Sequence, residues 1–163
     1  MAILTANVQR PVKIPAGGLS WQEQLLVGVT TFGAAHTAYS GSLLVTRAAN
    51  GPGYFKAIPL ASGTNSAAGD VFGGVAMERV DVLATDLADG AKKILAARNG
   101  IWAFPVGAVT QANVGAPAYA SDDQTITVTS ATNYWVGTIV GVDATYVYVD
   151  IATAFGRKQS VAA

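Results

Sequence analysis

The side chains in this sequence that could do chemistry are few and scattered. There is one histidine, His36, and no cysteine. The missing cysteines remove disulfides, thiolate metal sites and a thiolate nucleophile together. His36 lies in Gly33–Gly41, a stretch small and polar enough to be a loop, with no motif around it. A Ser-His-Asp arrangement would have to be built on it. It reads instead as an exposed or locally hydrogen-bonded side chain. The acidic pairs are Asp122-Asp123 and Asp86 with Asp89. Asp122-Asp123 reads as a turn, with adventitious calcium as its chemical alternative, and no pair stands out for glycoside hydrolysis. The frequent glycines form neither a phosphate-binding G-x-x-x-x-G-K-[ST] loop nor a G-x-G-x-x-G after a strand, and no G-x-S-x-G elbow occurs. The expectation is a protein that is not an enzyme, with no metal and no cofactor.

The aromatic side chains are the other candidates. Trp102-Ala103-Phe104 and Tyr134-Trp135 could form a platform for sugar or nucleic acid, but no basic residues are interleaved with them. Trp102, Phe104 and Trp135 therefore read as core or subunit-contact aromatics. Tyr146 and Tyr148 alternate with Val147 and Val149, which turns the two tyrosines to one face of a strand.

Composition narrows the function classes. The 163 residues suit one domain with a real core. Charged residues make up 12% of the chain and net charge is zero, which argues against a nucleic-acid footprint and against a basic membrane-surface helix. Hydrophobic residues make up 51%. So much apolar surface with so few charges points to self-association or docking on a partner. No apolar run reaches the length of a membrane-spanning helix. The first residues, MAILTANVQRPVKIPAG, lack a basic region followed by a long apolar stretch, so the expected site of synthesis is the cytoplasm.

The elements that must position these groups read as strands. Gly115–Ile151 shows period-two alternation, with Ile126 and Val128 on one face of a first run and Val147, Val149 and Ile151 on one face of the last. Trp135–Val142 is more apolar and reads as buried on both sides. Ser42–Arg47, Tyr54–Leu60 and Val71–Leu83 read as strands, and Ala61–Asp70 as a loop. Ser20 and Glu23 have capping-box spacing, but Leu26–Phe32 reads better as strand. Leu87, Ala91, Ile94 and Leu95 could line an amphipathic helix, but Gly90 interrupts it and Asn99-Gly100 between apolar runs favours a hairpin pairing Lys93–Ala97 with Ile101–Phe104. Val106–Val114 has room for one helical turn. Residues 1–19 form an extended arm with prolines at 11 and 15, a first strand or loose terminus or else an arm that reaches a neighbouring subunit; residues 20–156 form one β-rich domain, and residues 157–163 a tail that frays. The expected fold is all-β, a mainly antiparallel sandwich or barrel-like domain with at most one or two short helical turns. A weak recurrence links Gly41–Val45, Val71–Ala76 and Val80–Val82 to Gly115–Tyr119, Trp135–Val140 and Val147–Asp150, as in a duplicated β-unit.

The segment Gly100-Ile101-Trp102-Ala103-Phe104-Pro105, then Gly115-Ala116-Pro117-Ala118-Tyr119, an Asp turn, Val136-Gly137-Thr138-Ile139-Val140 and a closing Val/Tyr strand resembles the small capsid-decoration, or cement, proteins of tailed bacteriophages. The likeness spans Ser42–Ile151 and is best from Gly100 onward. It implies a β-rich, non-catalytic virion protein on the outer surface of a phage head. Its partners would be the major capsid protein and copies of itself, most simply a homotrimer matching lattice three-folds. An arm that adds to a neighbouring edge would make its contacts through Arg10, Val12, Lys13 and Ile14. The competing readings are a tail or head-fibre component, and a carbohydrate-binding β-domain using Tyr146 and Tyr148.

Overall fold

The computed structural model describes residues 4–15, 17–46, 53–58, 70–131 and 133–157. The strands are β1 Val12–Lys13, β2 Trp21–Leu26, β3 His36–Ala38, β4 Leu43–Thr46, β5 Tyr54–Ala57, β6 Phe72–Ala76 and β7 Val80–Val82. They continue as β8 Lys93–Ala97, β9 Ile101–Pro105, β10 Pro117–Ala120, β11 Ile126–Thr127, β12 Tyr134–Val142 and β13 Tyr146–Asp150. One helical turn, α1, covers Val29–Phe32, and a 3-10 turn covers Gln111–Asn113. The fold is all-β.

The strands make a closed barrel in the order β2-β5-β4-β6-β8, a six-stranded sheet in the order β1-β9-β13-β12-β10-β11, and a two-stranded ribbon of β3 and β7. The pairing is antiparallel except between β2 and β5, which run parallel and close the barrel. The inner face of the sheet packs on the barrel wall. Trp102, Phe104, Ile139, Val147, Val149 and Ile151 share one cluster with Leu43, Val45, Phe72 and Val75. A second cluster joins Leu26, Leu44, Phe55 and Ile94 with Ala38 and Val82 of the ribbon. Strand β4 serves both clusters, Leu43 and Val45 on one face and Leu44 on the other. A strand buried on both faces reads as a continuous apolar run, and its sequence is Leu-Leu-Val-Thr.

The arm lies along its own domain. The Leu4 N–H donates to Asp123 Oδ1 at 3.0 Å, Val8 N–H to Ser40 O at 2.9 Å, and Arg10 Nε to Gly41 O at 2.7 Å. Val12 and Lys13 then pair with Trp102 and Ile101 at the sheet edge. The expected arm is extended, but it is bound from Leu4 onward.

Several expectations change. The Asn99-Gly100 hairpin does not form. β8 pairs with β2 and β6, whereas β9 pairs with β1 and β13. A type I′ turn needs positive φ at both central residues. Gly100 has φ +103°, but no residue other than glycine has positive φ among the described residues. Asn99 works through its side chain, accepting from Ser20 N–H at 2.7 Å and donating to Gly18 O at 3.2 Å. The chain thus passes from barrel to sheet at this point. Leu26–Phe32 is not one strand. β2 ends at Leu26 and α1 follows, because Asp89 draws in Gly28 N–H at 2.7 Å and the Thr31 hydroxyl at 2.9 Å. The Gly33–Gly41 stretch is not all loop, since His36–Ala38 pairs with Val80–Val82. Val71–Leu83 is broken at Met77–Arg79 into β6 and β7. Strand β11 ends at Thr127 and leaves Val128 exposed, so Val128 does not join Ile126 in the core. Val140 is also exposed, so Trp135–Val142 is not buried on both sides throughout. Residues 59–69, and the tail from 158, lie outside the described residues.

Two triplets of strands are built alike. In one, Leu44 pairs with Gly74 and Val45 with Phe72, so Gly73 bulges out of the ladder, and Val75 pairs with Ala97. In the other, Ala118 pairs with Gly137 and Tyr119 with Trp135, so Val136 bulges, and Thr138 pairs with Asp150. Gly74 and Gly137 both have positive φ, and a Cβ on either would meet a carbonyl oxygen at 2.1 Å, that of Ala97 or that of Asp150. The triplet β4-β6-β8 therefore corresponds to β10-β12-β13. Its third member is β8, not the expected Val80–Val82, which pairs with β3 instead.

Candidate functional site

One face of the six-stranded sheet packs on the barrel, and the described residues leave the other face uncovered. Paired residues in adjacent strands point to the same side, so the register identifies the outer face. Lys13, Ile101, Asp150, Thr138 and Pro117 form one row across it. Ala103 with Tyr148, and Pro105 with Tyr146, extend it along β9 and β13. Tyr119, Trp135 and Thr127 carry it to the other edge. The four aromatic side chains, Tyr119, Trp135, Tyr146 and Tyr148, are all half-buried.

The charged groups of this face are tied into its own structure. Lys13 Nζ lies 5.4 Å from the Tyr148 ring centroid, and the Tyr148 hydroxyl donates to Asp143 at 2.8 Å. Asp143 also accepts the backbone N–H groups of Thr145 and Tyr146, at 2.8 and 2.7 Å, and so closes the β12–β13 turn. These bonds from Thr145, Tyr146 and Tyr148 hold the Asp143 carboxyl below its ordinary value, and the same contact raises the Tyr148 phenol. The Tyr146 and Tyr148 rings are 6.4 Å apart and inclined at 61°. They form an edge-to-face pair, not a flat stacking platform.

The structure separates the residues expected to make contacts. Trp102 and Phe104 are in the core, 4% and 0% exposed, and Trp102 Nε1 donates to Asn99 O at 3.0 Å. Trp135 is half-buried. It shares the outer face with Tyr119 while also packing against the core cluster. Arg10 is only 8% exposed, so it cannot belong to an exposed contact surface as expected. Its guanidinium lies 4.5 Å over the Phe104 ring. Burial lowers its pKa to about 10, against the pull of Asp123 and Asp122. Val12 is half-buried in its pairing with β9, and Lys13 and Ile14 are exposed.

Asp122-Asp123 does form a turn, as expected, but a buried one. Asp122 Oδ1 accepts Gln124 N–H at 3.0 Å and Thr125 N–H at 2.7 Å, as an aspartate does when its side chain bonds its own following backbone. Asp123 accepts Leu4 N–H and, at 2.8 Å, the Ser42 hydroxyl. Burial pushes the Asp123 carboxyl up, and these two bonds oppose it. The carboxylates thus join arm, β4 and sheet. Sequence reasoning missed this role. The signal was two adjacent aspartates in a chain with so few charges.

His36 Nδ1 lies 3.4 Å from Ala34 O, the local bond expected of it. Its ring stacks on Phe32 at a centroid distance of 4.1 Å. Among the described residues no group of three or more His, Asp or Glu is placed to hold a metal ion, and no helix is long and apolar enough to cross a membrane. No family model matches this sequence, and neither the curated proteins nor the solved structures contain a significant match.

Proposed function

We propose that this chain is a non-enzymatic virion protein that docks on the outer surface of a phage capsid and stabilises the head. The observation that carries this reading is the uncovered, tyrosine-rich outer face of the six-stranded sheet. Tyrosine and tryptophan supply large contact area at low entropy cost and are enriched at protein interfaces. On this face they stand among prolines and small residues, with few charges to desolvate. A rigid sheet backed by a packed core loses little freedom on docking. Several weak contacts per oligomer, on a repeating lattice, then add through effective concentration. The sequence resemblance to capsid-decoration proteins supports the same role. We propose a homotrimer as the docking unit.

The test is co-sedimentation of purified protein with undecorated, expanded phage heads, counting copies bound. Saturation at a copy number matching lattice points is the expected result. Absence of binding to every head state would remove the proposal and leave a tail or head-fibre component as the alternative. The carbohydrate reading is less favoured, because the inclined Tyr146 and Tyr148 rings and the engaged Tyr148 hydroxyl do not offer a flat sugar platform.

A further inference from the structure

Beside the ribbon strand β3 lies a cavity of about 440 Å³ that the docking role leaves unused. Its walls come from four separate parts of the chain: the arm at Leu4, the stretch from Phe32 at the end of α1 through His36 of β3 to Tyr39, β5 with the residue after it from Lys56 to Ile58, and Asp123. The size falls in the range of small-molecule pockets, and mostly apolar walls with a few converging polar groups are their usual make-up. Two groups give this pocket a polar end. Lys56 is 8% exposed, and its ammonium lies 5.0 Å from the Phe32 ring centroid. His36 Nε2 is buried and has no hydrogen-bond partner. A buried ring nitrogen without a partner costs free energy that a ligand can recover.

We infer that this cavity is a binding site for a small apolar carboxylate, its hydrocarbon body against Leu4, Phe32 and Ile58 and its anionic group between Lys56 and His36 Nε2. Asp123 also lines the cavity. Its two oxygens are already engaged by Leu4 N–H and the Ser42 hydroxyl. A neutral His36 that donates from Nδ1 to Ala34 O presents a bare lone pair at Nε2. A carboxylate there requires the second proton, so binding takes up a proton and leaves both ring N–H groups bonded. Burial lowers the His36 pKa, and Lys56 lowers it further against the Ala34 contact. The other ionisable groups lining the cavity are Tyr39 and Asp123; Asp81 on the neighbouring β7 pairs with Thr37, on the opposite face of the ribbon from His36, and is held there by Thr37 and Arg79. The bound anion works against the lowering. Affinity is therefore highest below the free-state pKa of His36 and falls as pH rises through the interval up to the bound-state pKa.

His36 is the one histidine of the sequence, so its ring signals in an NMR spectrum are assigned without mutagenesis. The experiment titrates the full chain with benzoate, using acetate and benzamide as controls, and follows those signals. Benzoate should shift them saturably with a Kd of about 1 mM or tighter, and about fivefold more tightly at pH near 5.5 than near 8. Acetate lacks the apolar body and benzamide lacks the charge, so each should bind at least about tenfold more weakly. Lys56→Met keeps the apolar stem and should abolish benzoate binding. His36→Gln keeps a polar group at the site and, read by calorimetry, should bind with no pH dependence. The inference is overturned if benzoate leaves the His36 ring signals unmoved at about 20 mM, or if benzamide binds as tightly as benzoate. This site is independent of the outer sheet face, so head binding and benzoate binding fail or succeed separately.

Discussion

Gly137 shows how much one residue can decide. Its φ is +153°, and a Cβ there would sit 2.1 Å from the Asp150 carbonyl oxygen. Strand β13 can approach only because nothing projects from this position. We expect Gly137→Ala to cost at least about 3 kcal/mol, read as a lowered urea midpoint. Gly156 also has positive φ, but open space lies where its Cβ would go. Gly156→Ala should cost only about 1 kcal/mol, and equal losses at the two sites would refute the close-approach argument. Asp123 sets a pH dependence with an uncommon sign. Its carboxyl holds the proton to a higher pH in the fold than its ordinary value. The corresponding stability is fully present below the unfolded pKa of about 3.9 and is lost as pH rises through the folded value. Asp143, held low by its bonds, has the opposite effect and loses its contribution as pH falls. Asp123→Asn should therefore gain on the wild type as pH rises from about 4 to about 7. A pH-independent difference between the two unfolding curves would show that Asp123 does not titrate with folding.

Among the elements, the arm changes its expected role most. An arm that waits for a neighbour would leave the domain intact when removed. This arm buries Leu4 and Arg10, bonds Asp123 and pairs with β9 along an edge. Deleting residues 1–15 strips the edge of β9 at Ile101–Ala103 and leaves Asp123 with one bond fewer. We expect a loss of at least about 3 kcal/mol in thermal or denaturant unfolding. A deletion that melts like the full chain would return the arm to the role of a free contact segment. Strands β8 and β9 carry a related lesson. Their apolar alternation was legible, and both form, but their partners were not. The Asn99-Gly100 dipeptide satisfies a local rule for hairpins, yet Asn99 is needed by Ser20 and Gly18, about eighty residues earlier. Similarly, the first N–H groups of α1 are taken by the Asp86 and Leu87 carbonyls while Asp89 holds Gly28 and Thr31, and no local pattern around Val29–Phe32 announces those partners.

For the whole molecule, the docking face makes the sharpest claim. Tyr119 and Tyr146 lie on that face in different strands, half-buried and with no charged side chain required for their packing. Under the capsid-docking proposal, Tyr119→Glu and Tyr146→Glu should each lower head occupancy at least about tenfold, because a carboxylate must be desolvated at the interface. Both variants should stay folded, with unfolding losses of no more than about 2 kcal/mol from the lost packing. Full occupancy by both variants would move the contact surface elsewhere on the molecule.

The sequence by itself determined the class of the molecule. Alternation at period two reports burial on one side of a pleated strand, and that signal survives whatever the strand pairs with. It placed Val147, Val149 and Ile151 inside, turned Tyr146 and Tyr148 outward, and showed no chemical motif. Tertiary structure alone decided which strands are neighbours, because pairing is a choice among edges that all offer the same backbone groups. It closed a barrel through one parallel pair, and it matched β8 with β13 through two glycines 63 positions apart. It also gathered Leu4, Phe32, His36 and Lys56 around one cavity. Those four come from separate elements, and only the packed core that brings the elements together makes them a site.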